Sequence, residues 1–566
     1  MSEAVHDLPQ ALKIERAKTA IDELANRYYD RSLELSPVSA TYSGVKGFET
    51  EYDDYSVAGE QKYVDLARET LKELEQLTPV DDVDRVTVDV MQERLGLILE
   101  HAAAGLGSWE LNPLATQAHS IRSVFDMMPK QSAADYAHIV GRLENVNAAI
   151  TQFGDYLRDC AAEGKVAAKR QVRLLSEQFA AYAADDGFFD DLAAAASEAD
   201  PELKERGAAA AESAKQGFRN FSTFLANELL DQAPEQDAVG AERYQLHSRS
   251  FLGTTIDLAE TYQWGVEELA RIIAEQESVA NEIKPGATIA EAKEVLNSDP
   301  ARKLHGTKAL REWMQELSDR AVAELAKEHF VIEGPMRRLE CMIAPTQDGG
   351  IYYTGPSSDW ERPGRMWWSV PPGEEEFTTW GEVSTVYHEG VPGHHLQIAT
   401  ATAMADSLNK WRAEGVWVSG HGEGWALYAE RLMEEFGYLD DPGDRMGMLD
   451  AQRMRAARVV FDIGVHCGFE IPTEWEEAVG ATGVWTAEAG YKFLEINLAT
   501  SKGQLDFEFN RYLGWPGQAP SYKIGQRVWE QLRADAEARG QSLKEFHTEA
   551  LKLGTMGLDS LKRALS

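Results

Sequence analysis

Over residues 10–35 apolar side chains recur every three or four positions: Leu12, Ile14, Ala17, Ile21, Leu24, Ala25 and Tyr28. That spacing lays them along one face of an amphipathic helix. The stretch 36–56, SPVSATYSGVKGFETEYDDYS, breaks the pattern with proline and glycine. From about 57 to 235 the chain reads as successive long helices. The clearest cover 58–77, 82–104, 133–163, 166–184 and 202–230, with polar breaks such as QLTPVDD and SEADPE between them. Helices continue over 255–330, interrupted by KPGATIAEA and NSDPARKLHG. The texture then changes. Residues 329–380 are rich in Gly, Pro, Tyr and Trp, and HFVIEG, LECMIAPT, GGIYYTGP and GRMWWSV predict short strands of a small sheet. Helices resume near 380 and run to the C-terminus. No fixed-period repeat is evident.

The pattern predicts a mainly α fold. Abundant Ala, Leu and Glu agree with it, as does the low proline content, 20 in 566 residues. A chain of this length exceeds what one core needs. Two regions are expected: a helical region over 1–250 forming one wall of a cleft, and a catalytic region over 251–566 that carries the sheet.

Charge narrows the function classes. The net charge is −38, with 94 acidic against 56 basic residues. So negative a surface repels phosphate backbones and anionic membranes, and suits a soluble protein that attracts divalent cations. The three cysteines, Cys160, Cys341 and Cys467, are odd in number and widely spaced, so neither a disulfide framework nor a cysteine zinc cluster is expected. Reduced thiols fit a cytoplasmic location best. The opening MSEAVHDLPQALKIERAK lacks the apolar core of a signal peptide and reads as the lead-in to a helix. With no run of 18 apolar residues, no transmembrane helix is expected.

Candidate chemistry concentrates in EVSTVYHEGVPGHHLQIATA, 382–401. His388 and Glu389 are adjacent, and His394 and His395 follow. Imidazole is a common zinc ligand, and a carboxylate beside the first ligand is where a metallohydrolase keeps its general base. In the usual short motif the second histidine lies four residues after the first. Here that position is Pro392. On a regular helix His394 would stand about 240° around from His388, and His395 nearly in line but about 10.5 Å further along. Pro392-Gly393 cannot continue a regular helix smoothly. A local bulge there would return His394 to the ligand position, so His394 is preferred, with His395 as the alternative.

Three further segments join this one. In VSGHGEGWALYAERLMEEFG, Glu423 is the natural third ligand. Glu430, seven residues on, shares its helix face and is placed to support a ligand. In RMRAARVVFDIGVHCG, Arg458, Asp462 and His466 are spaced by four, so Asp462 can hold one ring nitrogen of His466 and leave the other for substrate or an oxyanion. In RYLGWPGQAPSYKIGQ, Tyr522 can donate to a tetrahedral intermediate. Arg362 or Arg365 in RPGRMWW can meet a substrate carboxylate, and Arg365 and Tyr353 are taken as the substrate-binding candidates. Each of these segments alone reads equally well as helix surface or turn.

Together HEGVPGHHLQ, GEGWALYAERL, DIGVH, PGQAPSYKIG and the early ELSPVSATYSG resemble the bacterial family of unknown function numbered 885, over nearly the whole chain. That family resembles helical zinc peptidases, the thimet-like oligopeptidases and the Taq-type carboxypeptidases. The resemblance implies a helical fold around a deep cleft. It also implies ligands His388, His394 and Glu423, with Glu389 as base; the departure is two extra residues between Glu389 and His394. The expectation is a zinc-dependent hydrolase, a metallopeptidase of short peptides. His/His/Glu sites also accept manganese or cobalt. The alternatives are hydrolysis of a non-peptide amide or ester, and a non-catalytic binding protein on the same scaffold.

Overall fold

The computed structural model describes Leu12 and residues 16–344, 350–357 and 359–566. Ile14, most of the N-terminal lead-in, and the ends of two expected strands within 345–349 lie outside these residues. The chain is 68% helix and 4% strand, a mainly α fold. Helix starts follow their caps: Ser56, Asp81 and Ser132 each accept the backbone N–H three residues on, opening Val57–Leu74, Asp82–Ala103 and Ala133–Leu143.

Several boundaries differ from the sequence reading for local reasons. The first helix is Ala20–Leu35, and the proline-broken stretch after it contains a helix, Pro37–Tyr42. Pro37 sits in the first turn, where its missing N–H is not needed. The expected helix over 133–163 is two helices, Ala133–Leu143 and Val146–Ala162. At the break the Asn145 side chain donates to the carbonyls of Thr50 (3.0 Å) and Gly141 (3.1 Å), so the polar side chain competes with helix continuation. Helices Gln117–Met127 and Phe188–Ala199 were not singled out from sequence. The last long N-terminal helix, Lys204–Phe224, ends in a π turn over Leu225–Leu229.

Strands are β1 (Lys303–His305), β2 (Leu339–Ile343), β3 (Ile351–Thr354), β4 (Gly364–Trp368) and β5 (Glu376–Thr378). The order β2-β4-β3 makes a three-stranded sheet, with β2 parallel and β3 antiparallel to β4; β1 and β5 form an antiparallel pair. HFVIEG is not a strand. Its last residue, Gly334, opens a 3-10 turn, Gly334–Arg337, with Pro335 in the first positions.

Two large cores hold the fold. One is built from residues between Val38 and Ala233, with Phe153, Phe179, Phe218 and Phe221 at its centre. The other joins the earliest helices (Leu24, Leu33, Ala67, Met91) to residues from Tyr244 to Leu561. Between them a cavity of about 710 Å³ is lined by Glu60, Arg94, Tyr156, Trp411 and Trp417. An adjoining one of about 650 Å³ shares Glu60 and Glu110 and reaches Trp515. Among the described residues no helix is long and apolar enough to cross a membrane.

Candidate functional site

The His388–His394 segment is not one bulged helix. Helix Val383–Glu389 ends at Gly390, Val391–Pro392 is a cis peptide, and a new helix, His394–Ala403, starts at His394. The turn is tight. A Cβ on Gly393 would fall 1.9 Å from the His388 carbonyl oxygen, so the position requires glycine. Trp425 fixes the turn from the neighbouring helix, its indole N–H donating to the carbonyls of Pro392 (2.9 Å) and Gly393 (3.3 Å). The sharp reversal does what the expected bulge was to do: the rings of His388 and His394 meet edge to face, centroids 4.9 Å apart.

Glu423 faces both rings from helix Ser419–Glu435. Its Oε2 lies 3.4 Å from Nε2 of His388 and 3.4 Å from Nε2 of His394. Among the described residues these three form the one group of metal-type ligands whose donor atoms all lie within 4.8 Å of one another. Glu423 Oε2 is buried without a hydrogen-bond partner, an unmet acceptor that a cation would satisfy. The Nδ1–H of His388 donates to Glu430 Oε1 (2.7 Å), and Ser384 donates to the other oxygen (2.7 Å). A donor at Nδ1 leaves the Nε2 lone pair free toward Glu423, the tautomer that ligation needs. The residues present therefore fit a divalent cation.

Electrostatics agree with this arrangement. Burial opposes charge on His388, yet the facing carboxylates of Glu423 and Glu430 raise it to about 9, so the pocket favours positive charge between the ring and Glu423. Burial likewise opposes charge on Glu423, but His394 and His388 hold its carboxyl well below the usual range. Glu389, 8% exposed, is pushed above the usual carboxylate range by burial, with the two histidines opposing.

Glycine brings the fourth segment in. A Cβ on Gly424 would fall 2.5 Å from the Gly525 carbonyl carbon, and one on Gly525 would fall 2.0 Å from the Gly420 carbonyl oxygen. The Glu423 helix and helix Ser521–Ala538 thus cross backbone to backbone. Tyr522 is thereby held close enough for its hydroxyl to feel the charge of Glu423; burial pushes that hydroxyl up to about 12, so it remains a donor.

Other expected roles differ. His395 is turned away: its Nε2–H donates to the Met336 carbonyl (2.8 Å), and its Nδ1 accepts from the Tyr353 hydroxyl (2.9 Å). Burial pushes the ring down to about 4, keeping it neutral. Both nitrogens are used, so His395 ties the sheet to the helix, and Tyr353 is committed to it rather than to substrate. Arg365 pairs with Glu340 across the β2–β4 register (2.8 Å). Asp462 makes no hydrogen bond to His466; its Oδ1 comes only to 3.9 Å from His466 Nε2. Its Oδ2 accepts from the Tyr244 hydroxyl (2.7 Å) and the Gly517 N–H (2.8 Å), while His466 Nε2 donates to the Tyr512 carbonyl (3.0 Å). His466 is fully buried and stacked on Tyr244, so its role is in the core.

Two residues were missed from sequence. Trp417, 50% exposed, lies in the cavity wall with its ring 6.1 Å from that of His394. Arg455 projects from helix Pro442–Cys467, its guanidinium 5.8 Å from the Tyr522 ring centre. Its sequence signal is an arginine with no acidic residue three or four positions away on its own helix.

A family model described as bacterial protein of unknown function, DUF885, matches residues 37–565. No curated protein matches the chain. Among solved structures, a protein of Colwellia psychrerythraea provisionally described as a lipoprotein is similar with a TM-score of 0.81 and 21% identity, over 96% of this chain and 98% of that one. A second, from Shewanella oneidensis, provisionally described as a lipoprotein of unknown function, gives 0.71 and 16%, over 96% and 99%. At these identities the likeness is one of fold.

Proposed function

The chain belongs to the DUF885 family of bacterial proteins, and we propose that it is a zinc-dependent hydrolase that cleaves amide bonds in short peptides. The observation that carries this reading is the convergence of His388, His394 and Glu423 within 4.8 Å, with the carboxylate of Glu389 beside the first histidine. Two imidazoles and a carboxylate are the donor set of an open catalytic zinc site. A bound zinc ion would supply Lewis acidity, bringing the pKa of a water it coordinates toward about 7.

The protein's own residues supply the rest. Glu430 fixes the tautomer of His388 and so the direction of its lone pair. Glu389, raised by burial, takes a proton from the attacking water and passes it to the departing amine. Tyr522, kept protonated, donates to the oxyanion that develops on the carbonyl. Trp417 and the cleft behind it offer an apolar wall for a peptide side chain, which favours short peptides over folded proteins. Cytoplasmic residence belongs to the same reading, since Cys160, Cys341 and Cys467 are unpaired. Cell fractionation tests that part, and recovery in the membrane fraction would overturn it.

The deciding experiment is elemental analysis of protein purified without chelator, for the wild type and for His388→Ala, His394→Ala, His395→Ala and Glu423→Ala, together with peptide cleavage by Glu389→Gln. About one zinc per chain is expected, retained only in the wild type and His395→Ala, with cleavage lost in Glu389→Gln. If no metal is present, and added zinc neither binds nor raises the melting temperature, the hydrolase reading fails.

A further inference from the structure

We propose that Arg455 is an anion-binding residue of this site and receives a carboxylate of the substrate, so that the preferred peptides carry a free carboxylate near the bond to be cut. The inference rests on the hydrolase reading above and names its substrate class.

A guanidinium has five N–H donors, and a buried one is costly unless they are met. The neighbouring arginines each donate at least two hydrogen bonds within the protein, although Arg511 Nε is also buried without a partner. Arg458 donates to the Tyr512 hydroxyl (2.5 Å) and Glu508 (3.4 Å). Arg511 donates to Gln518 (2.6 Å) and Glu508 (2.6 Å). Arg453 donates to Asn497 (3.0 Å) and Gln276 (3.1 Å). Arg455 differs: among the described residues it donates no hydrogen bond, and its Nε is buried without a partner.

Its position is that of a recognition residue. The guanidinium lies against the Tyr522 ring, and its charge acts on Glu389, Glu430 and Tyr522. It therefore stands beside the proposed base and the proposed oxyanion donor without being bonded to either. The Tyr522 hydroxyl likewise makes no hydrogen bond among the described residues, so two adjacent donors lack protein acceptors. The planar fork of a guanidinium matches a carboxylate in two parallel hydrogen bonds. On a chain of net charge −38 an acidic substrate is repelled in general, and an uncommitted cation at the site is what retains it. The carboxylate can be a peptide C-terminus or an acidic side chain; the chemistry at Arg455 is the same.

The test is calorimetric binding to full-length Glu389→Gln protein with stoichiometric zinc, which keeps the probe intact. Three probes are used: acetyl-trialanine, its C-terminal amide, and acetyl-Ala-Ala-Glu amide. At least one carboxylate probe is expected to bind about 10- to 100-fold more tightly than the neutral amide, the scale of charge-assisted hydrogen bonds. Which one it is separates a C-terminal carboxylate from an acidic side chain. Adding Arg455→Gln should abolish the preference, and Arg455→Lys should restore part of it by returning charge without the fork. Equal binding of all three probes, no binding of any, or a preference that survives Arg455→Gln would overturn the proposal. Wild-type cleavage is measured separately. Carboxylate-selective binding without cleavage removes the hydrolase reading and leaves the anion site. Cleavage without carboxylate preference does the reverse.

Discussion

The Nδ1–H of His388 donates to Glu430 at 2.7 Å, and Glu430 stands seven residues beyond Glu423 on the same helix. Two nearly complete turns bring both carboxylates to one face, so a single helix presents one carboxylate to each side of the His388 ring. Glu430 itself is 1% exposed. Burial opposes its charge, but the His388 bond, Arg455 and Ser384 hold it below the usual carboxylate range.

Glu430→Ala removes that support. The fold should survive, because Ser384 can turn to the space left, but His388 loses its fixed tautomer. Zinc affinity, measured by competition with a chelator, should fall about 10- to 100-fold. Unchanged affinity would show that the His388–Glu430 bond is structural only.

His395 and His394 are neighbours with opposite expected phenotypes. His395→Ala deletes two buried hydrogen bonds, strands the Tyr353 hydroxyl and leaves a cavity. It should cost about 2–4 kcal/mol in denaturant unfolding while the zinc content stays that of the wild type. Loss of zinc with unchanged stability would reverse the assignment of the two histidines.

Gly393→Ala tests the turn between the ligands. The new Cβ would lie 1.9 Å from the His388 carbonyl oxygen, so the turn must open and separate the two rings. Zinc binding should be lost with helical circular dichroism largely retained. Gly96→Ala is the control: its Cβ meets nothing within 4 Å in the middle of helix Asp82–Ala103. It should stabilise by about 0.5–1 kcal/mol.

His547 gives a pH dependence away from the ligands. It is buried against Phe330 and Trp425, and its Nε2 accepts from the Tyr428 hydroxyl at 2.9 Å. Burial, then the charges of Arg533 and His329, push it down to about 3. The unfolded chain takes up this proton near its ordinary value of about 6.5 while the folded protein does not. Stability is therefore unaffected above that value and falls as pH drops from about 6.5 toward 3. Between pH 7 and 5 the loss from this group is about 2 kcal/mol. His547→Phe should flatten the pH dependence of unfolding by that amount, and equal slopes in the two proteins would remove His547 as its source.

The sequence by itself determined the helical class, the small sheet ahead of the His388 helix, and the shared face of Glu423 and Glu430. These follow from periodicity and helix pitch, which act over a few residues. It also marked Pro392-Gly393 as the place where the helix could not continue. Only the tertiary structure decided what followed from that break. Trp425 grips the turn from another helix, and Tyr353 of the sheet together with Met336 of the 3-10 turn before it takes His395 out of the site. The same holds for Asp462, which binds Tyr244 and Gly517 across the fold instead of its own helix neighbour, and for Arg455, whose missing partner is visible only once every adjacent arginine is seen to have one. Helix geometry is written in neighbouring residues, whereas a hydrogen-bond partner far along the chain is chosen by packing, and packing is set by all the elements at once.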